Sequence, residues 1–273
     1  MFFDHLPQKG LICAHRGARS IAPENTLLAM RKARECGAPC WETDVRMSKD
    51  GELVIFHDDT LERTTDITSH QAFQNLADYH VNQFSVDELR QLDAGSWFLA
   101  DDPFGTVASG EVKGNENEDI QAQQIPLLRE VLDFTKLHSF PVNVEIKDLK
   151  TPSGDVHIVD KVVDMLRETE TMDLVLLSSF RHEYLYRARE LSPEIAIAVI
   201  ARKQHPSNLI QYLKRFQANA YHPDKAICDD ELIIELQDAG FRVTSWTVNG
   251  MERAQEMRRI GAGVLTDWPQ LLT

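Results

Sequence analysis

Residues 128–147 read LREVLDFTKLHSFPVNVEIK, and a change of period inside them sets the fold. Leu128, Val131, Leu132 and Thr135 fall at i, i+3, i+4 and i+7, which is one face of a helix. Residues 142–147 then read as a short, largely apolar strand. The same succession extends outward. Ile158, Val162, Met165 and Leu166 mark a second helical face, and Leu232, Leu236 and Ala239 another. Further strands are expected at 11–15, 40–46, 174–180, 195–200, 218–222, 242–248 and 263–267. Strands that alternate with helices build parallel βαβ units. Eight of them fit a closed (β/α)8 TIM barrel better than an open sheet. Neither G-x-G-x-x-G nor G-x-x-x-x-G-K-[ST] is present to argue for a nucleotide-binding open sheet. Such barrels reach about 250 residues as one unit, so residues 1–273 are expected to form a single domain.

One stretch breaks the rhythm. After the run Leu53-Val54-Ile55-Phe56, residues 58–124 show no clean alternation and read as a subdomain inserted after the second strand. Phe73, Leu76, Tyr79, Phe84, Leu89, Leu92, Trp97 and Phe98 offer it a small core of its own. Its last part, 110–124 (GEVKGNENEDIQAQQ), is polar and acidic. That composition predicts a mobile surface loop, dispensable for folding.

Composition narrows the function classes. With 42% hydrophobic residues the chain can bury a substantial core. A net charge of -14 argues against binding nucleic acid or an anionic membrane. It leaves room for an anionic small molecule, because a metal ion or an Arg/Lys pair can reverse the field inside a cleft. Cys13, Cys36, Cys40 and Cys228 have no zinc-type spacing; Cys13 reads as buried, and structural disulfides are not expected. The N-terminal residues lack the pattern of a signal peptide, and no run approaches a membrane span. The expectation is a cytoplasmic protein without stable membrane insertion; the oligomeric state is left open.

Chemistry concentrates at strand ends. Glu42 and Asp44 are two apart in a strand and share a face, as do Glu145 and Lys147 in another. Standing alone, the first pair also admits the reading of a solvated pair on an edge strand. Three carboxylates from two strands, all oxygen donors, suit Mg²⁺ or Ca²⁺ and not a thiolate-bound metal. His15 and His57 each close an apolar run, and Arg16 follows the first. A lone strand-end histidine is usually structural, but two of them beside an arginine resemble an acid and a base flanking an anion. His5, His70, His80, His138, His157, His182 and His205 read as surface or loop residues, while His222 faces the same end of the strands.

These residues form a longer pattern. Ala14-His15-Arg16-Gly17, Pro23-Glu24-Asn25-Thr26, Glu42-Thr43-Asp44-Val45, Lys49-Asp50-Gly51 and His57-Asp58 resemble, in order, the glycerophosphodiester phosphodiesterases. Later landmarks extend the resemblance over nearly the whole chain. They are Leu92-Asp93-Ala94-Gly95-Ser96-Trp97, Ile125-Pro126-Leu127, Val144-Glu145-Ile146-Lys147, Ser245-Trp246-Thr247-Val248-Asn249 and Leu265-Thr266-Asp267-Trp268-Pro269. The chain departs from the family in 98–124, where many members have a short loop.

The resemblance implies a (β/α)8 barrel with a small insertion after its second strand. It implies a divalent cation on Glu42, Asp44 and Glu145, with His15 as general base and His57 as general acid. By the same resemblance Arg16 grips the phosphate, Lys147 adds positive charge beside it, and Trp246 lines the pocket. Trp246 reads equally well as a core aromatic, and Glu24 and Asn25 either face the site or start the helix after Pro23. The implied activity is hydrolysis of glycerophosphocholine, glycerophosphoethanolamine and similar diesters to glycerol 3-phosphate and an alcohol, within lipid and glycerol metabolism. Water and a neighbouring glycerol hydroxyl remain alternative nucleophiles. Two rivals stand beside this reading: a lysophospholipase D or phospholipase-type lipid phosphodiesterase, and a non-catalytic barrel that binds phosphorylated ligands.

Overall fold

The computed structural model describes residues 1–150 and 155–273. Its first half runs β1 (Ile12–Ala14), α1 (Leu27–Glu35), β2 (Cys40–Met47), β3 (Leu53–Ile55), α2 (Val86–Leu89), α3 (Ser96–Asp101), α4 (Asn117–Gln121), α5 (Leu128–His138) and β4 (Val142–Ile146). The second half alternates strictly: α6 (Asp155–Thr169), β5 (Val175–Ser179), α7 (His182–Leu191), β6 (Ala196–Ala201), α8 (Leu209–Arg215), β7 (Ala220–Pro223), α9 (Asp230–Asp238), β8 (Arg242–Ser245), α10 (Met251–Arg259) and β9 (Gly263–Thr266).

Eight strands pair in parallel in the order β1, β9, β8, β7, β6, β5, β4, β2, and β1 pairs again with β2 to close the ring. This is the (β/α)8 barrel expected. The ladders are uneven. Trp41–Val45 of β2 registers against Val142–Ile146 of β4, whereas β8 meets β9 only through Thr244↔Gly263 and Ser245↔Val264. The joins of β7 to β8 and of β1 to β2 are equally short. The ninth strand, β3, was not anticipated. It folds back antiparallel on β2, its Leu53–Ile55 opposite Val45–Met47, and is too short to announce itself by alternation.

Period-two alternation sorts the side chains. Trp41, Val45, Val142, Val144, Ile146, Leu177, Ile197, Val199 and Val264 point outward into the main core beneath the helices. Their neighbours Cys13, Cys40, Leu176, Ala198, Ala220 and Leu265 form a separate interior cluster, into which Phe2 and Leu6 of the N-terminal turn are packed. Burying one such aliphatic side chain contributes roughly 1.5–3 kcal/mol. Leu128, Val131, Leu132 and Thr135 are buried as the spacing predicts. In α9 the expected Leu236 is buried and the expected Leu232 and Ala239 pack partly buried against the core, with Ile233 buried beside them.

Residues between β3 and α5 hold two apolar clusters. Phe73, Phe84, Leu89 and Leu92 join Val54, Phe56, Leu61, Ile67 and Ile125 in the first, while Leu76 is exposed. Phe98 packs instead with Val112, Ile120 and α1's Leu28 and Ala29, with Trp97 against them. The expectation of a mobile loop at 110–124 is therefore overturned. Ile120 is 1% exposed, and Glu116 pairs with Lys32. Gln123 accepts a hydrogen bond from the Leu28 amide (3.2 Å) through its side chain and from the Ala94 amide (3.0 Å) through its backbone. Composition hid this because two buried anchors among thirteen mostly polar residues leave the average polar.

Candidate active site

The β2–β4 register sets the centre. Asp44 lies opposite Glu145, and Glu42 opposite Asn143, all on the inward face. Oxygen atoms of Glu42, Asp44 and Glu145 lie within 4.8 Å of one another. Burial pushes the Glu42 carboxyl well up, and the nearby Asp44 and Glu145 push it further. Burial opposes ionisation of Asp44 too, yet Lys147, His57, Arg16 and Asn25 hold it well below the usual carboxylate range. Lys147 Nζ donates to Glu145 Oε1 (2.6 Å) and lies 3.2 Å from Asp44 Oδ1. That second contact is out of hydrogen-bond alignment, so Asp44 Oδ1 is buried without a hydrogen bond. A buried carboxylate oxygen without a donor, converging with two others, fits a hard divalent cation.

The turn after β1 supports this centre. Arg16 and Gly17 both have positive φ (54° and 84°), and a Cβ on Gly17 would sit 2.6 Å from Ala29. This bend brings the Arg16 amide to Glu42 Oε2 (2.9 Å) and Arg16 NH1 to Glu24 Oε1 (2.7 Å). Thr26, not Glu24 or Asn25, caps α1, accepting from the Ala29 amide. Both of the others face the site. Asn25 Nδ2 donates to Asp44 Oδ2 (2.8 Å), and its Oδ1 accepts from Thr43 Oγ1 (2.8 Å). Glu24 is buried among Arg16, Arg19 (2.7 Å) and Arg63 (2.6 Å), and despite its burial these hold its carboxyl far below its ordinary value.

Each proposed histidine is oriented by its own carboxylate. His15 Nδ1 pairs with Asp267 Oδ1 at 2.6 Å, and Asn249 Nδ2 holds the other Asp267 oxygen at 2.7 Å. Burial, then Arg16, lower the His15 pKa to about 4 against the opposing pull of Asp267. His57 Nδ1 pairs with Asp58 Oδ1 at 2.5 Å, and Asp58 is tied to Arg63. The His57 carbonyl accepts from Arg46 Nε and NH2 (3.0 and 2.8 Å). Nδ1 being engaged in both rings, Nε2 is the nitrogen left for other chemistry.

His15, Arg16, Glu42, His57, Glu145, Lys147 and Trp246 line one cavity of about 700 Å³, with Asp44 buried just beneath it. Every site residue read from the sequence is thus brought together. Trp246 satisfies both of its readings. It packs on the interior cluster, donates Nε1–H to the His222 carbonyl (2.9 Å), and meets Phe180 edge-on at 5.4 Å in the cavity wall. His222 also lines the cavity, and burial lowers its pKa to about 4.

Asp58, Asp267, Arg63, Arg46 and Asn249 were not anticipated. Asp58 and Asp267 lay within quoted motifs, but a partner 252 residues away cannot be paired from one sequence. Two other histidines are more than surface residues. His182 bridges Tyr212 Oη (2.6 Å) and the Ile200 carbonyl (2.9 Å), and His205 pairs with Tyr221 Oη (2.8 Å).

Comparison with known proteins agrees with this geometry. Residues 15–271 match the model of the glycerophosphoryl diester phosphodiesterase family. A glycerophosphodiester phosphodiesterase of Caldanaerobacter subterraneus subsp. tengcongensis is 31% identical, over 97% of this chain and 96% of its own. One from Bacillus altitudinis is 32% identical over 94% of both chains. Among solved structures, an Oleispira antarctica phosphodiesterase in complex with the product sn-glycerol-3-phosphate superposes with a TM-score of 0.81. It has 29% identity and covers 99% of this chain and 96% of that one.

Proposed function

From the premise that the chain belongs to the glycerophosphoryl diester phosphodiesterase family, we propose that it hydrolyses glycerophosphodiesters to glycerol 3-phosphate and an alcohol with the aid of a divalent cation. The observation that carries the reading is the meeting of three carboxylates with two carboxylate-oriented histidines around one cavity. Residues 1–273 are read as one barrel domain and 58–124 as its inserted subdomain.

Glu42, Asp44 and Glu145 would hold the cation, and their oxygen-only donor set favours Mg²⁺ or Ca²⁺. When bound, the cation would supply positive charge to the phosphoryl and glycerol oxygens. His15 is neutral near pH 7, so its Nε2 can accept the proton of the nucleophile. The imidazolium so formed is stabilised by Asp267, which also fixes the ring. His57, held by Asp58, donates a proton to the departing alkoxide. Arg16 is anchored through NH1 on Glu24 and grips the phosphate, with Lys147 adding charge beside it and Trp246 covering one side.

Most of the residues that line the cavity are charged or polar, which suits a small water-soluble diester over a lipid. Among the described residues no helix is long and apolar enough to cross a membrane. The four free thiols support a cytoplasmic setting, and the -14 charge is unsuited to nucleic acid. The deciding assay incubates the protein with glycerophosphocholine and Mg²⁺ or Ca²⁺, then measures glycerol 3-phosphate and choline. Both should appear in equal amounts and vanish with EDTA. Release of phosphocholine, or no turnover with either metal, would reject the reading.

A further inference from the structure

Five lysine and arginine side chains line the cavity: Arg16, Arg46, Lys147, Lys150 and Arg202. Four already have acidic partners. Arg16 pairs with Glu24, Arg46 and Lys150 with Asp59, and Lys147 with Glu145 and Asp44. Arg202, just beyond the end of β6, makes no hydrogen bond or ion pair with any described residue. In the ring β6 stands four places from β1, so Arg202 rises from the wall across from His15 and Arg16. Around it that wall is Phe180, Ile200, His222 and Trp246, none of which bears an acid. Arg202, exposed at the cavity, is thus the one of the five without an acidic partner among the described residues.

We infer that Arg202 is a subsite for a carboxylate on the departing alcohol, so that the enzyme favours diesters with an acidic head group, of which glycerophosphoserine is the simplest. The inference rests on the phosphodiesterase reading above. The phosphate is served in that reading by Arg16, Lys147 and the cation, and the glycerol moiety has no anion. Only the head group can bring a second negative charge. One free guanidinium matches one carboxylate in charge and in its two-pronged geometry. A phosphomonoester head group, with nearly two charges, would leave one unmatched.

Glycerophosphoserine and glycerophosphoethanolamine test this directly, since they differ by a single carboxylate. The wild-type enzyme should show the higher kcat/KM for the serine diester. In Arg202→Gln the ratio of the two kcat/KM values should fall about tenfold, the order expected when a charged group loses its partner. Arg202→Lys should keep part of the preference. An unchanged ratio, whether both rates fall together or neither falls, would overturn the proposal, because the residue would then serve the phosphate or nothing. Calorimetric affinities for the two diesters, on wild type and Arg202→Gln, separate this question from turnover. Binding that discriminates through Arg202 without hydrolysis would reject the phosphodiesterase reading and keep the subsite. Equal affinities for the two diesters would reject the subsite alone.

Discussion

His15 has its pKa lowered to about 4 in the folded chain, from an ordinary 6.5, and the sign of that shift fixes two outcomes. A histidine whose folded pKa is depressed resists protonation in the native state, so it favours unfolding as pH falls from about 6.5 to about 4. His222, with the same shift, acts in the same window. Despite its burial, Asp267 is held down to about 2 by His15, so its contribution is lost only below the ordinary carboxylate range. Between pH 7 and pH 4.5 the melting temperature of wild type should therefore fall further than that of a His15→Gln/His222→Gln variant; an equal change in the two would show that neither ring is buried neutral. In catalysis Asp267 raises the His15 pKa, so Asp267→Asn should move the acid limb of the kcat/KM profile to lower pH. It should also lower kcat by freeing the ring. His15→Ala and His57→Ala should each cost roughly 10²–10⁴-fold in kcat, and the double variant less than their product. The carboxylates of the site were legible because alternation in a strand puts Glu42 and Asp44 on one face whatever the strand's surroundings. The partners that orient the histidines were not. They depend on ring rotation and on chain segments that meet only in the closed barrel.

At the scale of elements, the strands and most helical faces followed from periodicity, and the misreadings have physical causes. The β3 hairpin carries too few residues to alternate, and in α9 the consecutive apolar residues Leu232-Ile233-Ile234 hid that Ile233 joins the expected face. The 110–124 segment failed because packing was decided by Val112 and Ile120 alone. Ile120→Ala should then cost about 2–5 kcal/mol, the range for truncating a buried isoleucine. Gly95→Ala should be worse tolerated than its small size suggests, since a Cβ there would lie 1.7 Å from the Ile120 carbonyl oxygen. Thermal melts of both variants, with a Gly/Ser replacement of 110–124 beside them, check this. Melting temperatures equal to wild type would restore the loop reading.

For the whole molecule, the acidic centre is a cost that the proposed cation would remove. Glu42 is a carboxyl whose ionisation the fold opposes, so near pH 7, where the unfolded chain ionises it freely, it destabilises the metal-free protein. Glu42→Gln should raise the melting temperature of the EDTA-treated protein and abolish the rise that Mg²⁺ or Ca²⁺ gives wild type. A variant that melts lower without metal, or still responds to it, would remove Glu42 from the centre. The uneven ladders of the barrel bear on the same centre from another direction. Glu42, Asp44 and Glu145 stand on the longest ladder, while His15 and Asp267 sit at the ends of β1 and β9, among the short joins. Sub-global opening begins where few backbone bonds must break together. Amide protons of β8, β9 and β1 should thus exchange with deuterium before those of β2 and β4. On gradual warming the enzyme should fall silent while it still binds the proposed metal, the proposed base having drifted from a cradle that remains whole.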